Sequence, residues 1–244
     1  MNHNHHLTDL IVALDFPRPD RALEFAGQFQ GLPVMFQVGV ELFMSGGPDL
    51  VRELVHRKNR VFLDLKFHDF PISIARAARQ AALLHVEMFT LHLSGGSAMV
   101  RSVAEELADI PLLRPKILGV SVLTSFDDVR WAEVTRALTG HATSTSDSVD
   151  GIIESSVSWG IDGIVCSAVE LTHIRSHFPG LYTVVPDIYP EGSQFNDVKG
   201  ATPALARELG AHAIVIGKPI LESPNPREEV EAILKQLSPA AVSA

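Results

Sequence analysis

Short apolar runs recur along the chain, and a stretch with helical spacing follows each one. Leu10-Ile-Val-Ala-Leu14 is the first. A run that is apolar at every position reads as a strand buried on both faces. Further runs fall at 33–38, from 60 onward, and at 87–91, 116–122, 161–166, 181–185 and 213–216. Between them, Asp20 is read as the N-cap of a helix to 29. Gly46-Gly-Pro48 opens a helix with an apolar stripe at Leu50, Val51, Leu54 and Val55. Pro71 starts a long helix through 84, lined by Ile74, Ala77, Ala78, Ala81 and Ala82. The polar stretch 126–148 reads as a helix, a mobile Ser/Thr-rich loop and the start of a helix at 149–160. A short helix follows at 170–178. Thr202 caps one to 209, and the last spans 226–237.

Strands that alternate with helices imply parallel pairing. Eight such units imply α/β architecture closed as a single (β/α)8 TIM barrel. It spans residues 10–237, with a tail at 1–9 and another at 238–244. The 244 residues suit one barrel of this kind. In that fold the active site lies at the C-terminal ends of the strands. Asp15, Gln37, Asp64, Lys66, His92, Thr124 and Ser167 all stand at predicted strand ends. A doubly wound open sheet is the alternative, but no dinucleotide-binding glycine fingerprint follows the first strand.

One stretch departs from the apolar pattern: Arg60-Val-Phe-Leu-Asp-Leu-Lys-Phe-His-Asp-Phe-Pro71. Asp64 and Lys66 are two apart, so a strand points them to the same side. Burying a carboxylate and an ammonium costs several kcal/mol each unless they pair. Two readings fit. The pair is a structural ion pair closing a strand, or an active-site pair with Asp69 in the loop beyond.

Composition narrows the chemistry. Twenty basic residues against twenty-nine acidic ones give a net charge of −9. That balance argues against general nucleic-acid or anionic-membrane binding. It leaves room for an anionic small molecule at a local positive site. The single cysteine, Cys166, cannot form an internal disulfide, which fits a reducing cytoplasm. There is no run of eighteen apolar residues and no signal peptide. His3, His5 and His6 read as a tail without fixed metal-ligand geometry. No metal-spaced cysteine or histidine cluster, P-loop or G-x-S-x-G elbow is present. The chemistry falls to carboxylates and a lysine.

Asp64-Leu-Lys-Phe-His-Asp69 resembles the D-L-K-x-x-D signature of orotidine 5′-phosphate decarboxylases. The likeness extends in order through Val12-Ala-Leu-Asp15, Val38-Gly39 with Glu41-Leu-Phe43, Leu91-His92 with Ser94-Gly-Gly96, Val122-Leu-Thr-Ser125, Val165-Cys-Ser-Ala168 and Val215-Ile-Gly217. The resemblance implies a cofactor-independent decarboxylase of pyrimidine biosynthesis that turns orotidine 5′-phosphate into uridine 5′-monophosphate and CO2. It also implies a homodimer with shared active sites. Asp64 would crowd the substrate carboxylate. Lys66 would offset the carbanion charge at C6 and protonate it. Asp69 would complete the partner's site. Asp15 would meet a ribose hydroxyl, and Ser73 would approach from the partner. Thr124 would contact the pyrimidine or its closing loop, and Gly217 and Lys218 would approach the phosphate.

Four positions depart from that family's pattern. Gln37 stands where a lysine bridges Asp15 and Asp64, leaving the array one charge more negative. Tyr189, in Pro186-Asp-Ile-Tyr189, replaces the phosphate-binding arginine, and Asp187 adds a negative charge. Val198 replaces a phosphate-contacting glutamine. Lys218 replaces an arginine, keeping the charge but losing the bidentate fork. The alternatives are therefore a divergent member with a weakened or retargeted site, acting on another nucleotide-like or unphosphorylated acid, and a non-catalytic binding protein of the same fold.

Overall fold

The computed structural model describes residues 7–194 and 200–238. His3, His5, His6, Val198, Lys199 and the C-terminal tail from 239 lie outside the described residues.

Eight parallel strands close into a barrel in chain order, with the last pairing to the first. They are β1 (Asp9–Ala13), β2 (Val34–Gly39), β3 (Arg60–Phe67), β4 (Met88–His92), β5 (Lys116–Val120), β6 (Gly163–Val165), β7 (Tyr182–Val185) and β8 (Ala213–Ile216). Closure leaves no unpaired sheet edge. The helices form the outer layer: α1 (Pro19–Gly27), α2 (Val40–His56), α3 (Pro71–Leu83), α4 (Gly96–Ala108), α5 (Asp128–Thr139), α6 (Thr145–Val157), α7 (Ala168–His177), α8 (Pro203–Glu208), α9 (Lys218–Leu221) and α10 (Pro226–Leu237).

Alternation along the strands builds two apolar layers. Ile11, Ala13, Met35, Phe62, Met88, Leu118, Val184, Ala213 and Val215 fill the barrel interior. Their neighbours, among them Leu10, Val12, Phe36, Leu63, Phe89 and Ile214, join the cores of the helices outside. The runs look continuously apolar because both faces are covered.

Local details differ from the sequence expectation in four places. Asp20 is not the N-cap of α1. Arg18 holds that position, Pro19 takes the first turn, and Asp20 binds back to the Arg18 guanidinium at 3.0 and 2.6 Å. Proline's fixed φ and missing N–H suit a first turn without a capping side chain. A helical segment from Val40 precedes Gly46-Gly-Pro48, and Gly47 at φ 57° and ψ −162° breaks it from the segment after Pro48. Of the α3 stripe, Ala75 is buried where Ala77 was expected. The loop between α5 and α6 shrinks to 140–144, because Gly140 closes α5 in the left-handed conformation and Ser144 caps α6.

The N-terminal end of the barrel is closed by charge rather than by apolar groups. Arg60 spans two carboxylates, donating to Asp9 at 2.8 and 3.1 Å and to Glu87 at 2.7 and 2.8 Å. Those bonds hold its proton more tightly than usual. The Tyr182 hydroxyl donates to Asp9 at 3.2 Å, and Lys116 lies 5.1 Å from the Tyr182 ring centre. His212 stacks on Tyr182, with the ring centres 4.9 Å apart. The network joins the starts of β1, β3, β5 and β7.

Arg60→Met leaves Asp9 and Glu87 facing one another without their shared cation. Hydrogen bonds to charged groups contribute about 1.5–3 kcal/mol. For a chain of this length the expected fall in thermal midpoint is roughly 3–12 °C. Calorimetry of the variant checks this, and a midpoint within about 1 °C of the parent would mean the network adds no stability.

Candidate active site

The alternation that fills the interior continues to the C-terminal mouth. On β3, Phe62 faces inward and Asp64 follows two residues on. Asp64 is buried, and both of its oxygens accept hydrogen bonds. Oδ2 accepts from the Gln37 amide at 2.6 Å and from the Lys66 ammonium at 2.8 Å. Oδ1 accepts from the Thr90 hydroxyl at 2.7 Å. Donors from β2, β3 and β4 converge on one carboxylate.

Lys66 does not sit on a regular strand. Its φ is +49°, and the β3–β4 register shifts between Leu63 and Phe67. A left-handed conformation at a residue with a Cβ is uncommon and tends to mark function or local constraint. The shift takes the Lys66 N–H out of the backbone ladder, and it donates instead to Thr90 Oγ1 at 2.9 Å. Thr90 was absent from the sequence reading. Its one signal is a hydroxyl inside the apolar run Met88-Phe-Thr-Leu91.

Asp15 lies two residues beyond β1. Its carboxylate packs so close to Gly217 that a Cβ there would lie 3.1 Å from Oδ2. Burial raises the proton affinity of Asp15, and the charges of Glu41 and Asp64 raise it further. Lys218 opposes the shift. Gln37 therefore keeps a donor on Asp64 without adding positive charge to this cluster. Lys218 is exposed and begins α9 directly after Gly217.

On β4, His92 faces the same mouth. Its Nδ1 lies 2.9 Å from the Ser94 hydroxyl and its ring centre 5.6 Å from that of His68. Burial, His68 and Lys66 together lower its proton affinity.

Asp69, Ser73 and Thr124 stand outside the hydrogen-bonded group. All three are exposed, and Asp69 accepts from the Phe70 N–H at 2.6 Å. Ser167, expected only as a residue at a strand end, caps α7 in a reciprocal bond pair with Glu170. Tyr189 is half-buried, with its ring against Gly200, where a Cβ would come within 2.4 Å of it. The preceding Asp187 is exposed and has φ +58°. Among the described residues, no group of three histidine, cysteine or acidic side chains has the geometry to hold a metal.

Comparison with known proteins places the chain among relatives of one kind. A model of the "Orotidine 5'-phosphate decarboxylase / HUMPS family" matches residues 8–233. An orotidine 5′-phosphate decarboxylase of Sodalis glossinidius is 38% identical over 232 residues, covering 94% of this chain and 90% of its own length. One from Pseudomonas putida is 36% identical, covering 94% of this chain and 97% of its own. The crystal structure of orotidine 5′-phosphate decarboxylase from Lactobacillus acidophilus superposes with a TM-score of 0.82 at 30% identity, covering 95% of this chain and 99% of that one.

The raised proton affinity of Asp15 gives a signed stability prediction. Its folded-state value lies above the ordinary 3.8, so the folded state favours the neutral carboxyl. That stability is fully present below about pH 4 and is lost as pH rises through the raised value. Asp15→Asn keeps the neutral shape at every pH. Its thermal midpoint is expected to match the parent at the acid end and to exceed it increasingly toward pH 7. A gap that stays flat or reverses across that range would contradict the electrostatic assignment.

Proposed function

The chain belongs to the orotidine 5′-phosphate decarboxylase / HUMPS family, and we propose that it converts orotidine 5′-phosphate into uridine 5′-monophosphate and CO2. The observation that carries this reading is the Asp64–Lys66 pair, 2.8 Å apart at the end of a buried strand. A carboxylate beside an ammonium suits a reaction in which one carboxylate leaves a carbon and a proton replaces it.

In this reading the substrate carboxylate lies against Asp64, and the repulsion is relieved as CO2 departs. The carbon–carbon bond breaks, its electron pair stays on C6, and Lys66 donates a proton there. Solvent then reprotonates the lysine. The ammonium is already in place as the carbanion charge develops, so little reorganisation accompanies the step. Proton and charge transfer are the whole of it, and the proposal includes no cofactor. Asp15 receives a ribose hydroxyl and Thr124 the pyrimidine or the loop over it. Gly217 and Lys218 receive the phosphate, at the position after β8 that barrels of this kind often use.

Asp69 and Ser73 act in the site of a second copy. Support comes from the surface around them. Phe70 is 76% exposed and Ile72 57%, while Met44 and Val40 at the start of α2 are 79% and 54% exposed. β2 and β3 are adjacent, so the four side chains flank one sector of the mouth. Clustered exposed apolar groups of this kind mark interaction surfaces. We extend the proposal to a cytoplasmic enzyme, in keeping with one buried, unpaired cysteine, Cys166. Among the described residues, no helix is long and apolar enough to cross a membrane.

One observation favours a retargeted site. Tyr189 packs on Gly200 where an arginine would grip phosphate. A charge-assisted bond contributes about 1.5–3 kcal/mol, so its loss weakens phosphate binding by roughly 10–100-fold. Comparing turnover of orotidine 5′-phosphate with that of unphosphorylated orotidine separates the readings.

Turnover of the phosphorylated substrate is expected, and Lys66→Ala should abolish it with the fold intact by circular dichroism. Activity on orotidine alone would favour the retargeted site, and an undiminished Lys66→Ala would place the proton donor elsewhere. Sedimentation at micromolar concentration should give a dimer. A monomer would remove Asp69 and Ser73 from the catalytic site.

A further inference from the structure

We propose that Thr90 is a positioning residue for the reaction, setting the geometry of Asp64 and Lys66 at once through a single hydroxyl. The proposal rests on the reading of Lys66 as the proton donor. Thr90 is fully buried in β4, among Met88, Phe89 and Leu91. A buried hydroxyl in such a setting is costly unless both its donor and acceptor roles are used. Here both are used, and by the two residues proposed for the chemistry.

The proton positions follow from the partners. A backbone N–H only donates, so Thr90 Oγ1 accepts from the Lys66 N–H at 2.9 Å. Its own O–H is then free to donate, and it meets Asp64 Oδ1 at 2.7 Å. The relay runs from Lys66 N–H to Thr90 to Asp64. A neighbouring strand thus bridges two residues that are two apart on β3. The relay also satisfies the backbone group that the register shift at Lys66 leaves out of the ladder. An N–H without a partner would favour return to a regular strand, and the lysine would then leave its left-handed conformation. The same hydroxyl holds Asp64 Oδ1, leaving Oδ2 for Lys66 and Gln37. Thr90 touches neither substrate nor reacting atom in this scheme and acts only through its two neighbours.

Thr90→Val removes the hydroxyl and keeps the branched shape. Thr90→Ser keeps the hydroxyl and removes the methyl. If Thr90 positions the pair, Thr90→Val lowers kcat by about 100-fold, the scale of a small misplacement of reacting groups, with KM within about threefold. Thr90→Ser recovers most of that loss. Thr90→Val with kcat within about threefold of the parent, or Thr90→Ser no better than Thr90→Val, overturns the proposal.

A second readout does not depend on the substrate. Acylation of Lys66 by acetic anhydride at one fixed pH can be followed by peptide mass spectrometry against another exposed lysine. With the hydroxyl gone, the Lys66 backbone loses its anchor and the ammonium is no longer held against Asp64, so Lys66 should react several-fold faster in Thr90→Val and normally in Thr90→Ser. Unchanged Lys66 reactivity in Thr90→Val overturns the positioning role even if the protein proves inactive on orotidine 5′-phosphate. Inactivity with altered reactivity would instead overturn only the assigned substrate.

Discussion

A carboxylate at the end of a buried strand is the constraint on which the rest of the site depends. Asp64 is removed from water and must be matched by donors fixed in place. Three strands supply them: Gln37 from β2, Lys66 from β3 and Thr90 from β4. Their convergence follows from the strand order, which sets β2, β3 and β4 side by side. It also requires the irregularity at Lys66, which brings a second charged residue to the mouth where β3 would otherwise run on. The apolar interior below, from Ile11 to Val215, then serves as the rigid floor of a polar site.

The two ends of the barrel treat charge in opposite ways. At the N-terminal end Asp9 and Glu87 share Arg60, with Lys116 close above Tyr182. Each acid there has a partner, and the network reads as structural. At the mouth, burial and the charges of Glu41 and Asp64 raise the proton affinity of Asp15, and Lys218 offsets them only in part. An imbalance of that kind costs stability in the empty protein. It is tolerable where a ligand alters the local charge. Stored electrostatic strain of this sort clusters at active sites.

The fold was legible because the strand runs are apolar on both faces and the intervening stretches keep helical spacing. The Asp64–Lys66 pair was legible too, although the stated reason was incomplete. Simple alternation predicts a shared side, yet Lys66 leaves regular strand geometry. The pair meets through a register shift that no local pattern encodes. Thr90 and Arg60 escaped notice for a related reason. Their partners lie 24 to 51 positions away in sequence, so the bonds exist only once the strands are placed side by side. Asp20 misled because a capping residue type beside a proline has two ways to begin a helix. The apolar side chains of Phe70 and Met44 were read as neither core nor surface, since periodicity alone does not say which face a second molecule would cover.

Gln37 separates two properties that a lysine in its place would combine. Its amide reaches Asp64 Oδ2 at 2.6 Å, so the carboxylate is oriented as a bridging cation would orient it. What the amide lacks is charge. The hydrogen bond to Asp64 is therefore kept while the positive charge of a lysine is not. In a reaction governed by preorganised electrostatics, the field at the reacting carbon matters more than the count of hydrogen bonds. Lys66 is the nearest positive charge to Asp64 and carries that field without a second ammonium beside the pair. On the proposed reading, a lysine in place of Gln37 would act on rate through charge, whereas a change at Thr90 would act through geometry.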